Sequence, residues 1–448
     1  MNWRRASLTL SLAVSMLLAA CATPTPAPAP AGGGQQAEQP AVPPPEQPAP
    51  AQPQQQPTQI TVWSRYDIDD PNSKEGMTLK QFFADLEREA GVKVIHEQVA
   101  WDQLATKLAL AVQSGGDVPD IVEVSSQHIP ALLNAGALTP LDDLLKGEAW
   151  VEDLTDGDRK ACVRDGQRVC VATNVRGGMT YYKPKLMPDG FPKGPADWEK
   201  LCETLKPQGN FVNTFFAGRS YAAIEINWWP LIKSNGGSIF DAEGKPAWAT
   251  EKVAEVARWA QRMFANECWP KVSVTGDFAD SEVAWQEGKS AAFGGGSWSP
   301  IFVPGLLDQV NSGEVEVTGG TPFNGQPHVF MVSESWVVPK GAKNTQGALA
   351  FLRAFMKPAF LASWAEAQFG IPTTKQAYAE GRFKGSPFYS KVDKILGEQG
   401  AYMESSPYYV ESLDILATTW QELMLNPDRD PLPELEKAAN EVLQRYWK

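Results

Sequence analysis

Apolar and polar positions first fall into a regular order at Ile60. Ile60-Thr61-Val62-Trp63 is a short β-branched run, and Met77 to Ala90 then carries Leu79, Phe82, Phe83 and Leu86 at the spacing of one helical face. The pair repeats: Val92 to Ile95 reads as strand, Trp101 to Ser114 as helix with Leu104, Leu108, Ala111 and Val112 on one face, and Asp120 to Val124 as strand. Such alternation predicts an α/β chain built on parallel, doubly wound sheet. Ligands of open sheets sit beyond the carboxyl ends of the strands. That rule nominates Arg65, Asp67, Ser125, Ser126 and Gln127 as hydrogen-bonding groups, with helix capping the competing role for Ser125 and Ser126.

A second region begins near Thr173. Its pattern predicts strands at Met179 to Tyr182, Ser290 to Phe293 and Val329 to Val338, and helices at Trp198 to Leu205, Asn344 to Met356, Ala359 to Gln368 and Glu434 to Tyr446. A longer helix spans Thr250 to Phe264, with Thr250 as N-cap and Val253, Val256, Ala260, Met263 and Phe264 as its buried stripe. No repeat of fixed period is present.

Composition narrows the function classes. At 448 residues with 43% hydrophobic and 21% charged side chains, the chain has material for two or three globular domains. Forty Lys and Arg against 53 Asp and Glu give a formal charge of −13, opposite to what a phosphate-backbone binder shows, so no nucleic acid partner is expected. The N-terminus sets the compartment. Arg4 and Arg5 precede an apolar run from Leu8 to Leu18, the layout of a secretory signal too short to span a bilayer. Leu18-Ala19-Ala20-Cys21 resembles a bacterial lipobox, which makes residues 1–20 a lipoprotein signal peptide and Cys21 the lipidated N-terminus. Residues 22–58 then hold twelve prolines with Ala, Gln and Gly; we read 21–58 as a solvated, polyproline-like tether that cannot build a core. The expected location is the cell surface or periplasm, on the membrane through the lipid.

Four cysteines remain in a body where disulfides persist. Cys162 and Cys170 flank Asp165-Gly166, a hairpin turn signal that sets them opposite each other. Cys202 and Cys268 are then left as a second bridge or as two buried thiols. Close Cys pairs are absent and His96, His128 and His328 are the only histidines, so neither a zinc site nor any other metal or cofactor is expected. Enzyme motifs are missing too: there is no Gly-X-Ser-X-Gly elbow, Gly295-Gly296-Ser297-Trp298-Ser299 lacking the second glycine, and no P-loop. No catalytic residue is nominated.

An ordered set of segments from 59 to 448 resembles the extracellular solute-binding proteins of sugar ABC transporters, the family that includes maltose-binding protein. Gly115-Gly116-Asp117-Val118-Pro119-Asp120-Ile121 and Leu132 to Leu141 look like its second helix, third strand and following helix. Tyr181-Tyr182-Lys183-Pro184, Trp229-Pro230-Leu231-Ile232 with Asn235-Gly236-Gly237-Ser238, Glu287 to Phe293 with Gly295-Gly296-Ser297-Trp298, and Gly370-Ile371-Pro372-Thr373 follow in the family's order. The chain departs from the pattern at Lys183-Pro184, where the family usually has a small residue or Asn, and at Glu334-Ser335, where it often has a glycine pair.

The resemblance implies a type II periplasmic-binding-protein fold with two α/β lobes, 59–172 with 336–378 and 173–335 with 379–448, hinged near Thr173, Ser335 and Ala379. It implies a monomer that captures a carbohydrate between the lobes and hands it to the transmembrane subunits of an ABC permease. Sugars pair an apolar face with a rim of hydroxyls, which suits aromatic platforms and planar polar groups. From the 16 tryptophans the matched positions single out Trp63, Trp228, Trp298 and Trp336. Glu225 and Asn227 precede the second-lobe helix, and Asn227 is the better hydrogen-bonding candidate. Arg176 lies at the first crossing; facing the cleft it would suit an acidic sugar, and otherwise it pairs with a carboxylate of the protein. A sugar acid, phosphorylated polyol or peptide is the alternative ligand, with a surface glycosidase or adhesin further off.

Overall fold

A computed structural model describes residues 58–447 apart from 381, 382 and 384. The signal segment, Cys21 and the tether up to residue 57 lie outside the described residues. Thr58 already belongs to the first strand, Thr58–Ser64.

That strand runs parallel to Val92–Gln98 on one side and to Ile121–Ser125 on the other. The connections are the helices Lys74–Ala90 and Trp101–Ser114, each closed by a glycine at positive φ, Gly91 and Gly115, where side chains with a Cβ are disfavoured. Ser73 caps the first of them by accepting the Gly76 N–H, starting it three residues earlier than the apolar spacing suggests. Its buried face is Leu79, Phe82, Phe83 and Leu86, as the periodicity predicts, and it packs under the later helices Thr345–Phe355 and Pro358–Ala367. On the second helix only Leu104 and Leu108 are fully buried; Ala111 and Val112 sit at the margin.

Two more strands complete this sheet in antiparallel sense. Glu334–Val337 lies beside Ile121–Ser125, and Val171–Ala172 lies beside Glu334–Val337. The second sheet is centred on Asn174–Tyr182, with Val329–Val332 antiparallel on one side and Ser290–Gly296 antiparallel on the other; Phe211–Thr214 and Gly400–Ala401 form its edges. The run expected as one strand from Val329 to Val338 is therefore two, broken at Ser333 as the chain passes between sheets. Thr173 marks the corresponding passage between Ala172 and Asn174. Both halves of each run are buried on both faces, so periodicity cannot reveal the break. The two passages are tied together, because the Thr173 N–H and hydroxyl both donate to the Glu334 carbonyl at 2.8 and 3.0 Å.

Helices Glu251–Ala265, Tyr409–Leu425 and Pro431–Tyr446 pack together beside the second sheet. Val253, Val256, Ala260 and Met263 are buried as predicted and Phe264 is half-buried; Thr250 occupies the cap position without making a capping hydrogen bond. Both disulfides are present. Asp165 and Gly166 adopt positive φ at the tip of a hairpin that brings Cys162 to Cys170, and Cys202 on the helix Pro195–Leu205 bonds Cys268. Among the described residues no helix is long and apolar enough to cross a membrane.

Candidate functional site

Where the chain passes from sheet to sheet, a cleft of about 1140 Å³ opens, lined by strand ends and loops of both sheets. Its floor is a buried ion cluster. Glu334, 2% exposed, takes the Arg65 guanidinium on Oε1 at 3.1 Å, pairs with Arg176 through the same oxygen, and accepts the Ser125 hydroxyl on Oε2 at 2.6 Å. Glu123 accepts the Tyr66 hydroxyl at 2.6 Å and lies 3.9 Å from Arg65. Gln368 donates to the same Tyr66 oxygen at 2.7 Å. Burial alone would raise Glu334, but Arg65, Arg176 and the Ser125 hydroxyl hold it below the usual carboxylate range. Glu123 goes the other way, raised by burial and by the neighbouring Glu334 charge against the pull of Arg65.

Trp298 reaches the cleft because Gly296 leaves room for its ring. The strand Ser290–Gly296 ends in three glycines, and a Cβ on Gly296 would lie 2.3 Å from the folded-back indole; Ser299 locks the turn by accepting the Gly296 N–H at 3.0 Å. The Arg176 guanidinium sits 5.3 Å from the Trp298 ring centre, joining platform to floor. Trp101 is the second indole lining the cleft. Its indole N–H donates to Ser125 Oγ at 2.9 Å, and its ring stacks on Tyr221 at 5.7 Å and 18°.

The cleft thus gathers Arg65, Asp67, Ser125, Gln127, Arg176 and Trp298 from the sequence nominations, and Glu225 with them. Five others are elsewhere. Trp63 is buried against the helix Trp101–Ser114, covered by the Lys107 ammonium at 4.2 Å. Trp336 is core between Phe351 and Phe355, at 4.9 and 5.4 Å, and Trp228 is core against Phe215 and Trp420, at 5.5 and 5.2 Å. Ser126 bonds the backbone of Ser333, bracing the passage between sheets. Asn227 donates to the Phe216 carbonyl and faces a smaller inner cavity with Trp228, so Glu225, not Asn227, lines the cleft. Asp67 spends one oxygen capping its own turn, accepting the N–H groups of Asp69 and Asp70.

Sequence reasoning missed Trp101, Tyr66, Glu334 and Glu282. Applying the strand-end rule to the second strand, which stops at Gln98, would have reached Trp101. Glu334 was visible only as a charged residue inside an apolar run. Glu282, on the helix Phe278–Gln286, had no signal; it is 6% exposed, lines the cleft, and has neither hydrogen-bond nor ion-pair partner among the described residues. Burial, with Asp277 adding to it, pushes its carboxyl up to about 8. Glu225, bonded by the Tyr409 hydroxyl at 2.7 Å, is likewise pushed up to about 8 by burial.

The profile of the bacterial extracellular solute-binding protein family matches residues 81–391. The chain belongs to that family. Among curated proteins, this solute-binding protein is 25% identical over 174 residues to an arabinooligosaccharide-binding protein of Halalkalibacterium halodurans, a match spanning 38% of each chain. Its structure resembles the GacH receptor of Streptomyces glaucescens with a TM-score of 0.73 at 14% identity, covering 86% of this chain and 98% of that one. A maltotriose-binding protein of Thermus thermophilus gives 0.69 at 19% identity, covering 86% and 99%, and maltose-bound MalE3 of T. maritima gives 0.71 at 15%, again 86% and 99%. These likenesses place the solute-binding protein in the type II periplasmic-binding-protein fold, in the α/β class read from the strand and helix alternation.

Proposed function

We propose that the chain captures a mono- or oligosaccharide in this cleft and delivers it to the membrane permease of an ABC importer, without turning it over. The observation that carries the reading is the pairing of two half-buried indoles, Trp101 and Trp298, with a floor of ordered polar side chains in one cavity large enough for several sugar rings. A named arabinooligosaccharide-binding relative and maltose- or maltotriose-bound structural neighbours support the same class. The lobes, 59–172 with 334–378 and 174–332 with 379–448, Glu334 and Ser335 going to the first because their strand pairs in its sheet, close about the passages at Thr173 and Ser333 and near Ala379, since a few residues between packed units can absorb the dihedral change. The protein works as a monomer, held on the outer face of a membrane by lipid on Cys21 and spaced from it by the proline-rich tether. An acidic sugar loses its main argument, because Arg176 spends its charge on Glu334.

Thermal shift of the full chain against a panel of saccharides, sugar acids and amino acids tests this. A saccharide at 100 times its dissociation constant should add about 2.7 kcal/mol of stability and remain chemically intact. No shift with any saccharide, or consumption of the one that binds, refutes the proposal.

A further inference from the structure

The cleft carries carboxylates that the protein itself leaves unanswered. Asp67, Asp70 and Glu75 come from one wall, Asp277, Asp280 and Glu282 from the other, and none of the six has a basic partner within ion-pair distance among the described residues. The three arginines that line the same cavity are all engaged: Arg65 and Arg176 with Glu334, and Arg219 with Glu422 at 3.7 Å. Five of the six acids have a local role or an exposed site. Asp67 and Asp70 accept turn N–H groups, Asp277 and Asp280 cap each other's backbone at the start of their helix, and Glu75 lies in the first turn of its own. Glu282 has none: it is more than nine-tenths buried, lines the cavity, and its Oε1 meets no donor. Leaving a buried carboxyl unpartnered costs stability, and a fold normally removes such a group unless something else supplies the donor.

We infer that the ligand brings a cationic nitrogen to Glu282, and that the solute is therefore an amine-bearing saccharide in preference to a neutral or acidic one. The inference rests on the saccharide reading above. Burial disfavours the charged form of Glu282 in the empty cleft, and an ammonium group is the partner that restores it. The exposed acids at the mouth add a long-range field that draws cations in and repels uronic acids.

Calorimetric titration of the full chain in detergent, with matched saccharides, tests this. Each amine-bearing sugar, from glucosamine to short oligomers in several linkages, is paired with the neutral sugar carrying hydroxyl in its place and with the corresponding uronic acid. The expected result is binding about tenfold or more tighter for the amine member of the pair that fits, with the preference lost in Glu282→Gln. A neutral or acidic twin that binds as well or better overturns this inference and leaves the saccharide reading standing. Silence from every saccharide overturns both. An undiminished amine preference in E282Q overturns the assignment to Glu282. If E282Q does not fold, Asp277→Asn replaces it, keeping a capping side chain while removing a neighbouring charge. A reduced preference in D277N supports the proposal and an unchanged one counts against it.

Discussion

Glu334 and Glu282 line the same cleft, are buried to a similar degree, and behave as opposites. Glu334 is ringed by Arg65, Arg176 and the Ser125 hydroxyl and stays charged well below the usual carboxylate range; Glu282 has no partner and is pushed up to about 8. Burial is common to both, so the partners decide the outcome. The floor carboxylate is a brace, tying strand ends of the first sheet to Arg176 of the second, whereas the wall carboxylate is left open to the cavity.

The contrast is tested most severely by removing the brace. Glu334→Ala strands the buried Arg176 guanidinium and takes the nearer carboxylate from half-buried Arg65, and a loss of about 3–5 kcal/mol is expected in denaturant titration. A loss under about 1 kcal/mol would show that the cluster is solvated and not a brace. Acid titration reports on the same group. Its folded-state pKa is depressed, so the stability it contributes is present above the ordinary carboxylate range and lost as pH falls below it toward the lower folded value. Glu225 reports the reverse. Its folded pKa is raised to about 8, so the folded state holds a proton the unfolded chain releases, and stability falls as pH rises from the ordinary range to about 8. Glu225→Gln keeps an acceptor for Tyr409 and should raise stability at pH 8 by on the order of 1–3 kcal/mol while changing little at pH 4; melting curves at the two pH values decide it. The smallest effect is expected for Glu282→Gln without ligand: a gain of no more than about 1 kcal/mol at pH 8, since part of the group's cost is relieved by its opening to the cleft. A large loss there would mean that Glu282 has a structural partner after all.

How much of this was legible beforehand differed by region. Local periodicity was enough for the three parallel strands of the first sheet, each followed by a helix, but not for its two antiparallel strands, Glu334–Val337 and Val171–Ala172; the Asp165-Gly166 turn signal was enough for the cysteine hairpin. The strand-end rule placed Arg65, Asp67, Ser125 and Gln127 in the cleft without any knowledge of the second sheet. The matched family positions failed for three of the four tryptophans. Trp63 and Trp336 sit in strand stretches buried on both faces, where alternation carries no sign of which way a ring points, and Trp228 sits in a helical turn where no strand rule applies. Trp298 differs because Gly296 clears the space for its ring, a signal present in the chain itself. The roles of Glu334 and Glu282 were hidden for a physical reason: pairing and burial are set by residues up to about 270 positions away in the chain, Arg65 to Glu334 being separated by 269.

Trp298 is the proposed ligand platform of a cleft proposed to bind a saccharide without turnover. Calorimetric titration of the saccharide that most raises the melting temperature, into the wild-type chain and into Trp298→Ala, tests it most directly. The account predicts one-to-one binding with no continuing heat, weakened by about tenfold in the variant while the fold persists. Equal affinity in the two proteins, or heat that continues after saturation, would contradict it.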